Sequence, residues 1–400
     1  MSQLAVIGAG MGGLSLALAL QHAGSSCSVY ERAAELTEVG AGIQMGPHVM
    51  RRLLRWGLGD ALRDRFALPD VLQARDARSG HVLATLELGS SFEQRYGAPY
   101  ATVHRADLQQ VLHQAVQQGG CSEVHLHTTC TNWVEQAEGV TLTLQVGPEA
   151  TSREVDAPAL TGADGLWSRV RSSGWDLPEP FATGHLAYRA MVPQALLPAR
   201  LRSPSVCVWM GPDLHLVTYP VRQGEWLNVV LLLQPQGPQR HLAPGWDLAR
   251  EPQDMAADVQ AAMQGCSAGV RDLVGMIEQW RVWPLYGRGI VAGPDQMARG
   301  AVALLGDAAH PMLPYLAQGA GMAIEDADAL AQWWTRGDLS VPQRLHRYAE
   351  SRWQRNARVQ LQSRRNADIF HAVGWMRWGR DLGLRLMGQR LMDQPWLFSA

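Results

Sequence analysis

Lysine is missing from this chain altogether: all 35 of its basic residues are arginines. The absence excludes phosphate-loop nucleotide hydrolysis, pyridoxal Schiff bases and every lysine nucleophile, since each needs an ε-amine. Cysteine is scarce. Cys27, Cys121, Cys130, Cys207 and Cys266 are odd in number and scattered, with no CxxC pair and no disulfide framework, which fits a reducing compartment such as the cytoplasm. Charge nearly cancels, and a formal net charge of -2 gives no electrostatic case for nucleic acid or an acidic membrane. No apolar run approaches the roughly eighteen residues a membrane span needs. The opening MSQLAVIGAGMGGLSLALAL lacks a basic leader and is broken early by glycine, so it does not read as a signal peptide. His125 and His127 would share one strand face, but no third ligand is near in sequence and no metal is expected.

What is present is an ordinary globular composition, 46% hydrophobic and 18% charged, in 400 residues. That length exceeds one simple core and suggests two domains with an appendage. The apolar run Gln3 to Ile7 predicts a strand, GAGMGG follows, and Leu14 to Ala23 continues as a helix closed by Gly24. Cys27 to Tyr30 predicts the second strand, with Glu31 at its end. Gly8, Gly10 and Gly13 permit a tight turn, close approach of a pyrophosphate and close helix packing, while the acid takes ribose hydroxyls. An acid in that place suits an unphosphorylated adenosine ribose, as in FAD or NAD. Glu38 to Pro47 is a second glycine-rich loop, and Arg105 opens a helix from which it could reach a phosphate. Gly162 to Gly165 (GADG, with Asp164) forms another turn after a strand and precedes Arg171.

Residues 178 to 286 are strand-rich and turn-punctuated, an antiparallel sheet able to cover a pocket. Within it SVCVWMGPDLHLVTYPV predicts a hairpin whose second strand puts His215, Val217 and Tyr219 on one face. Cys207 joins that face with a three-residue loop and turns away with a two-residue loop. Leu304 to Ala327, LLGDAAHPMLPYLAQGAGMAIEDA, reads as a strand end, the acid Asp307, a loop stiffened by Pro311 and Pro314, and a helix opened by Gly319, Ala320 and Gly321. Such a helix N-terminus carries roughly half a positive charge and suits an electron-rich group. Ala323, Ala327, Leu330, Ala331 and Trp334 give that helix a buried face. The tail is helical and carries Trp375, Trp378 and Trp396; packing back on the protein is preferred over a membrane-surface role.

The order GAGMGG with Glu31, then Arg105, GADG with Arg171, then GDAAHPMLPYLAQGAGMAIEDA resembles the class A FAD-dependent aromatic monooxygenases. The likeness covers nearly the whole chain and is nearest the salicylate hydroxylase and 6-hydroxynicotinate 3-monooxygenase branch. It implies an α/β fold: a Rossmann-like FAD-binding domain (1–75, 100–176 and 286–340), an inserted antiparallel substrate domain of the p-hydroxybenzoate hydroxylase kind (76–99 and 177–285), and C-terminal helices (341–400). By the same resemblance Gly8, Gly10, Gly13, Glu31 and Arg32 hold the adenosine end of FAD. Arg105 and Asp307 hold pyrophosphate and ribityl groups, and Asp164 serves both FAD and a transient NADH or NADPH. Gln44, Pro314 and Gly319 to Gly321 lie against the flavin. Gln44 stands where the hydroxynicotinate enzymes carry histidine, so the same substrate does not follow.

Cys207, His215 and Tyr219 resemble substrate-contacting positions, with His215 as general base near its ordinary pKa of about 6.5. The chemistry implied is hydroxylation of a phenol or hydroxypyridine with O2 through a C4a-hydroperoxyflavin, with loss of carboxylate when attack falls on the carbon bearing it. A small aromatic substrate is the expected partner, in a monomer or homodimer. The competing readings are a quinone or lipid-like aromatic hydroxylase at a membrane, and a flavin binder without hydroxylase activity. A flavin-dependent halogenase, suggested by WRVWPL at Trp280 to Leu285, is excluded because its catalytic lysine cannot exist here.

Overall fold

The computed structural model describes residues 3–36, 41–234 and 252–399. Part of the strand-rich 178–286 stretch and the start of the Glu38 loop lie outside them. Leu4–Ile7, Cys27–Tyr30, Leu160–Gly162, Val302–Leu304 and Glu123–His125 form a parallel sheet, with the short Ala298–Arg299 strand antiparallel at one edge. The register aligns Ile7 with Tyr30 and Gly162, and Gly162 with Leu304. The turns that follow, Gly8, Glu31, Asp164 and Asp307, therefore emerge along one edge of the sheet. That edge, the carboxyl end, is where parallel α/β sheets bind ligands. Helix Met11–His22 is buried from Met11 to Leu20 because it is enclosed between helices Gly319–Trp334 and Arg105–Gly119. Its apolar sequence on every face is the reason.

A seven-stranded sheet carries the second half in the order Arg281–Gly287, Phe181–Pro193, Trp226–Leu233, Leu214–Val221, Val206–Gly211, Val71–Asp76, Val82–Glu87. Its excursion strand begins at Val71, ahead of the expected residue 76, because Val71–Asp76 pairs in parallel with Val206–Gly211. Alternation splits its strands between two faces. Leu186, Tyr188, Leu216 and Leu231 join Val259 and Trp280 in a core beneath helices Pro252–Met263 and Ala268–Gly275. The opposite face looks toward the parallel sheet.

The ribbon Thr128–Gln136, Gly139–Val146, Thr151–Ala157 forms a third, antiparallel sheet. His125 and His127 do not share a face. His127 has left the strand with φ 52°, whereas the His125 ring stacks on Tyr30 at 5.1 Å. The long helix Val341–Phe370 packs on Gly319–Trp334, and Gly374–Met392 crosses the edge strand Val82–Glu87. Trp375 and Trp378 are 83% and 70% exposed, while Trp396 lies under the Arg358 guanidinium at 4.0 Å. Among the described residues no helix is long and apolar enough to cross a membrane.

Candidate active site

One cavity of about 550 Å³ runs between the carboxyl edge of the parallel sheet and the inner face of the large sheet. At one end lies the GAGMGG turn. Gly8 takes φ +104°, and a Cβ there would meet the Ala163 carbonyl at 2.6 Å, so only glycine lets this turn pass the GADG turn. A Cβ on Gly10 would meet nothing within 4 Å, which leaves open space at the start of a helix with no side-chain cap. Glu31 accepts hydrogen bonds from Ala9 N (2.8 Å) and Ala33 N (2.9 Å), which fixes its carboxylate at the cavity wall beside Arg32.

Gly13 does not line the cavity. Its Cα faces the Gly8 carbonyl, 1.9 Å from where a Cβ would stand, so its work is helix-to-strand packing. Gly321 likewise faces away, toward Val49, Gln318 and His48, and lets two helices approach. These two are corrections to a cofactor-contact reading, and their cause is the rotation of each helix about its axis.

The middle of the cavity is lined by Arg105, Gln44, Asp164, Asp307, Gly319 and Ala320, with Pro314 in the loop between. Asp164 caps the short helix Arg169–Gly174 by accepting from Arg169 N and Val170 N through Oδ2, and its buried Oδ1 has no partner. Burial raises its pKa, against hydrogen bonds that lower it. Arg171 is buried behind it and donates to the carbonyls of Leu166 and Ala308 (2.5 Å each), tying the two loops together. Burial and the neighbouring Arg288 push its pKa down to about 10. Asp307 opens into the cavity but is walled by protein, and desolvation raises its pKa against Arg105, His310 and Arg171. Helix Gly319–Trp334 presents its first turn here, also without a side-chain cap. Tyr100 donates to Gln44 Oε1 at 2.6 Å and holds that amide in place.

The far wall is the inner face of the large sheet: Arg189, Val217, Tyr219, Val230 and Leu232. Tyr219 donates to the Gly42 carbonyl at 2.6 Å, and burial raises its pKa, so it stays a phenol. Cys207 is a correction. The hairpin turns through Pro212 and Asp213, pairing Gly211 with Leu214 and Met210 with His215, so Cys207 sits opposite Thr218 on the other face. Its thiol lies 3.9 Å from Gln73 Oε1, away from the cavity.

His215 shares the face of Val217 and Tyr219 but does not reach the cavity. It is 1% exposed, bonded through Nδ1 to His371 Nε2 at 2.8 Å, and packed on Tyr315 and Phe370 with ring centroids at 5.0 and 5.2 Å. Burial, then His371 and His185, hold its pKa well below 6.5. The expected base with an ordinary pKa is thus a neutral imidazole sealed behind the wall. Arg189 is the site residue that the sequence reading missed. Its signal was a lone charge in the LAYRAMV stretch, out of phase with the core-facing Leu186, Tyr188, Ala190 and Val192.

The residues present fit a dinucleotide flavin. Two uncapped helix N-termini, an acid at the second strand end, the unpartnered Asp164 oxygen and the open space at Gly10 line a single cavity. Comparison with known proteins agrees. An FAD binding domain family model matches residues 1–362. A 3-hydroxybenzoate 6-hydroxylase of Polaromonas naphthalenivorans (strain CJ2) is 36% identical, covering 98% of this chain and 95% of that one. A 6-hydroxynicotinate 3-monooxygenase of Bordetella bronchiseptica is 33% identical over 94% and 92%. The structure of Klebsiella pneumoniae HpxO complexed with FAD and uric acid superposes with a TM-score of 0.81 at 25% identity, covering 97% of this chain and 94% of that one. With fold, cavity and relatives in agreement over nearly its full length, the chain belongs to the FAD-dependent aromatic monooxygenases, flavoproteins that use NAD(P)H and O2.

Proposed function

We propose that this enzyme hydroxylates a small aromatic ring already activated by a hydroxyl group, of the hydroxybenzoate or hydroxynicotinate class. The observation that supports this reading best is a juxtaposition. The wall formed by Val217, Tyr219, Val230 and Leu232 faces the Asp307 loop and the Gly319 helix start across one cavity. An aromatic ring on that apolar wall sits beside the place where FAD, when bound, supplies the redox chemistry. One oxygen atom of O2 enters the ring, the other leaves as water, and NAD(P)H supplies two electrons. Tyr219, tied to Gly42, orients the ring; Gly8, Gly10, Glu31, Arg32 and Arg105 hold the nucleotide end of FAD; Gln44, Asp164, Asp307, Pro314, Gly319 and Ala320 hold its ribityl and ring portions. His215 acts through Tyr315 and the loop bearing Pro314, as a positioning residue. The protein works in the cytoplasm, as a monomer or homodimer.

The test is a panel of hydroxylated benzoates and pyridinecarboxylates assayed with the FAD-loaded enzyme for stimulated NADH or NADPH oxidation, with products identified by mass spectrometry. Stimulation with a ring product carrying one added oxygen is expected. Unstimulated oxidation with every acid would overturn the substrate class.

A further inference from the structure

We infer that Arg189 is the anchor for an anionic group on the substrate, a carboxylate attached to the aromatic ring. The inference rests on the proposed hydroxylase reading and adds to it a specificity-determining residue. Arg189 lies in the Phe181–Pro193 strand, opposite Val230 on one side and Arg281 on the other. Its side chain projects into the cavity on the same face as Val230, beside Tyr219. No acid accompanies it among the described residues: the fixed charge that acts on it is the like-charged Arg105. Its Nε is buried without a hydrogen-bond partner, and its guanidinium lies over the Trp283 ring at 5.1 Å.

This arrangement is incomplete as it stands. Arg189 is half-buried, and a guanidinium partly withdrawn from water and left without an acid carries a desolvation cost that an aromatic face offsets only in part. Two buried arginines, by contrast, meet partners in the protein. Arg352 holds Glu325 and Asp326, and Arg171 holds backbone carbonyls. Arg189 is unlike them in pointing its donors at the space where a ligand would lie. A planar, always-charged fork matches a carboxylate in two parallel hydrogen bonds. The wall around it is apolar, so the ring rests on Val217, Val230 and Leu232 while its acid group meets Arg189, the only arginine of that wall among the described residues. The cation also accounts for selectivity. A neutral ring leaves the charge unpaired, whereas an aromatic acid satisfies it.

The test uses the FAD-loaded enzyme and follows the flavin absorbance change on titration with 3-hydroxybenzoate, 6-hydroxynicotinate and the carboxamide of each. Wild type should bind at least one acid ten-fold or more tighter than its carboxamide. Arg189→Gln should erase that preference by weakening the acid ten-fold or more while leaving the carboxamide and the FAD content unchanged. Arg189→Lys should recover part of the acid affinity. Equal weakening of acid and carboxamide, an unchanged preference, or loss of FAD from Arg189→Gln would each overturn the inference. The proposed hydroxylase class stands or falls separately, on whether wild type shows stimulated NAD(P)H oxidation with any acid. Wild type stimulated by acids that it prefers no more than their carboxamides would overturn the Arg189 role alone.

Discussion

Glu31 accepts from two backbone N–H groups, Ala9 N and Ala33 N, and still has lone pairs directed at the cavity. Hydrogen bonds to a charged group contribute about 1.5–3 kcal/mol each, so Glu31→Ala should lower FAD affinity about ten-fold or more. Flavin absorbance per protein after desalting measures it, and an unchanged ratio would remove Glu31 from the cofactor site. Tyr219→Phe deletes only the bond to Gly42. It should leave FAD content intact and shift NADH consumption from ring hydroxylation toward hydrogen peroxide by several-fold, read as product formed per NADH oxidised. His215 poses a sharper question. Because burial and the neighbouring His371 hold its pKa well below 6.5, it is a neutral imidazole at neutral pH and contributes no ionisation there. His215→Asn should therefore keep the shape of the pH profile of stimulated oxidation, even where the rate falls. Loss of an inflection near neutrality would restore His215 as the base.

Among the elements, the helices Gly319–Trp334 and Val341–Phe370 carry a buried charge network. Glu325 meets Arg352 at 2.8 Å and Arg355 at 2.6 Å, and Asp326 meets His310 at 2.5 Å and Arg352 at 2.8 Å. Asp326 also accepts from Gly306 N at 3.1 Å, so the network fixes the loop that bears Asp307. Burial alone would raise the Glu325 pKa; the arginines and His48 overcome it and lower it to about 2. A carboxylate depressed in the folded state stabilises fully above its unfolded pKa near 4.5, and that contribution is lost as pH falls toward 2. Glu325→Gln should cost about 3–5 kcal/mol at neutral pH and should flatten this acid limb, as seen in urea midpoints at pH 6 and 3.5. A variant as acid-sensitive as wild type would contradict the assignment.

The sequence carried some of these elements and not others. The strand, turn and acid order from Leu4 to Glu31 was legible because a glycine-rich turn and an acid at fixed spacing serve one geometry. The Leu304 to Ala327 stretch was legible for the same reason. The network was not: Arg352 and Arg355 come from a helix whose pattern says amphipathic but not which residue it meets. Cys207 was undecidable until the two-residue turn fixed the register, since a one-residue slip exchanges the faces of a strand. The depth of His215 behind the wall depended on His371, far along the chain.

Across the whole molecule, the last described turn closes the structure on itself. Phe398 packs against Phe92 and Tyr96 with ring centroids at 5.5 Å and stacks near His48 at 6.2 Å. Arg355 donates to the carbonyls of Trp396 and Leu397, and Arg51 to that of Phe398. Tyr96 and Arg95 both donate to Asp393. This clasp joins the helix Pro47–Arg55, the long helix Val341–Phe370 and the excursion helix Ser90–Tyr96, three parts far apart in sequence. It lies behind the cavity rather than in it. Tyr100, whose ring centroid is 6.4 Å from Phe398, reaches Gln44 on the cavity wall. Phe398→Ala should cost about 3–5 kcal/mol, the range for deleting a well-packed buried aromatic. The cost should appear as a lower urea midpoint at unchanged slope, with FAD content near wild type below the transition, because Phe398 itself does not line the cavity. A shift under about 0.5 kcal/mol, the scale of a surface change, would mean that the clasp is not load-carrying.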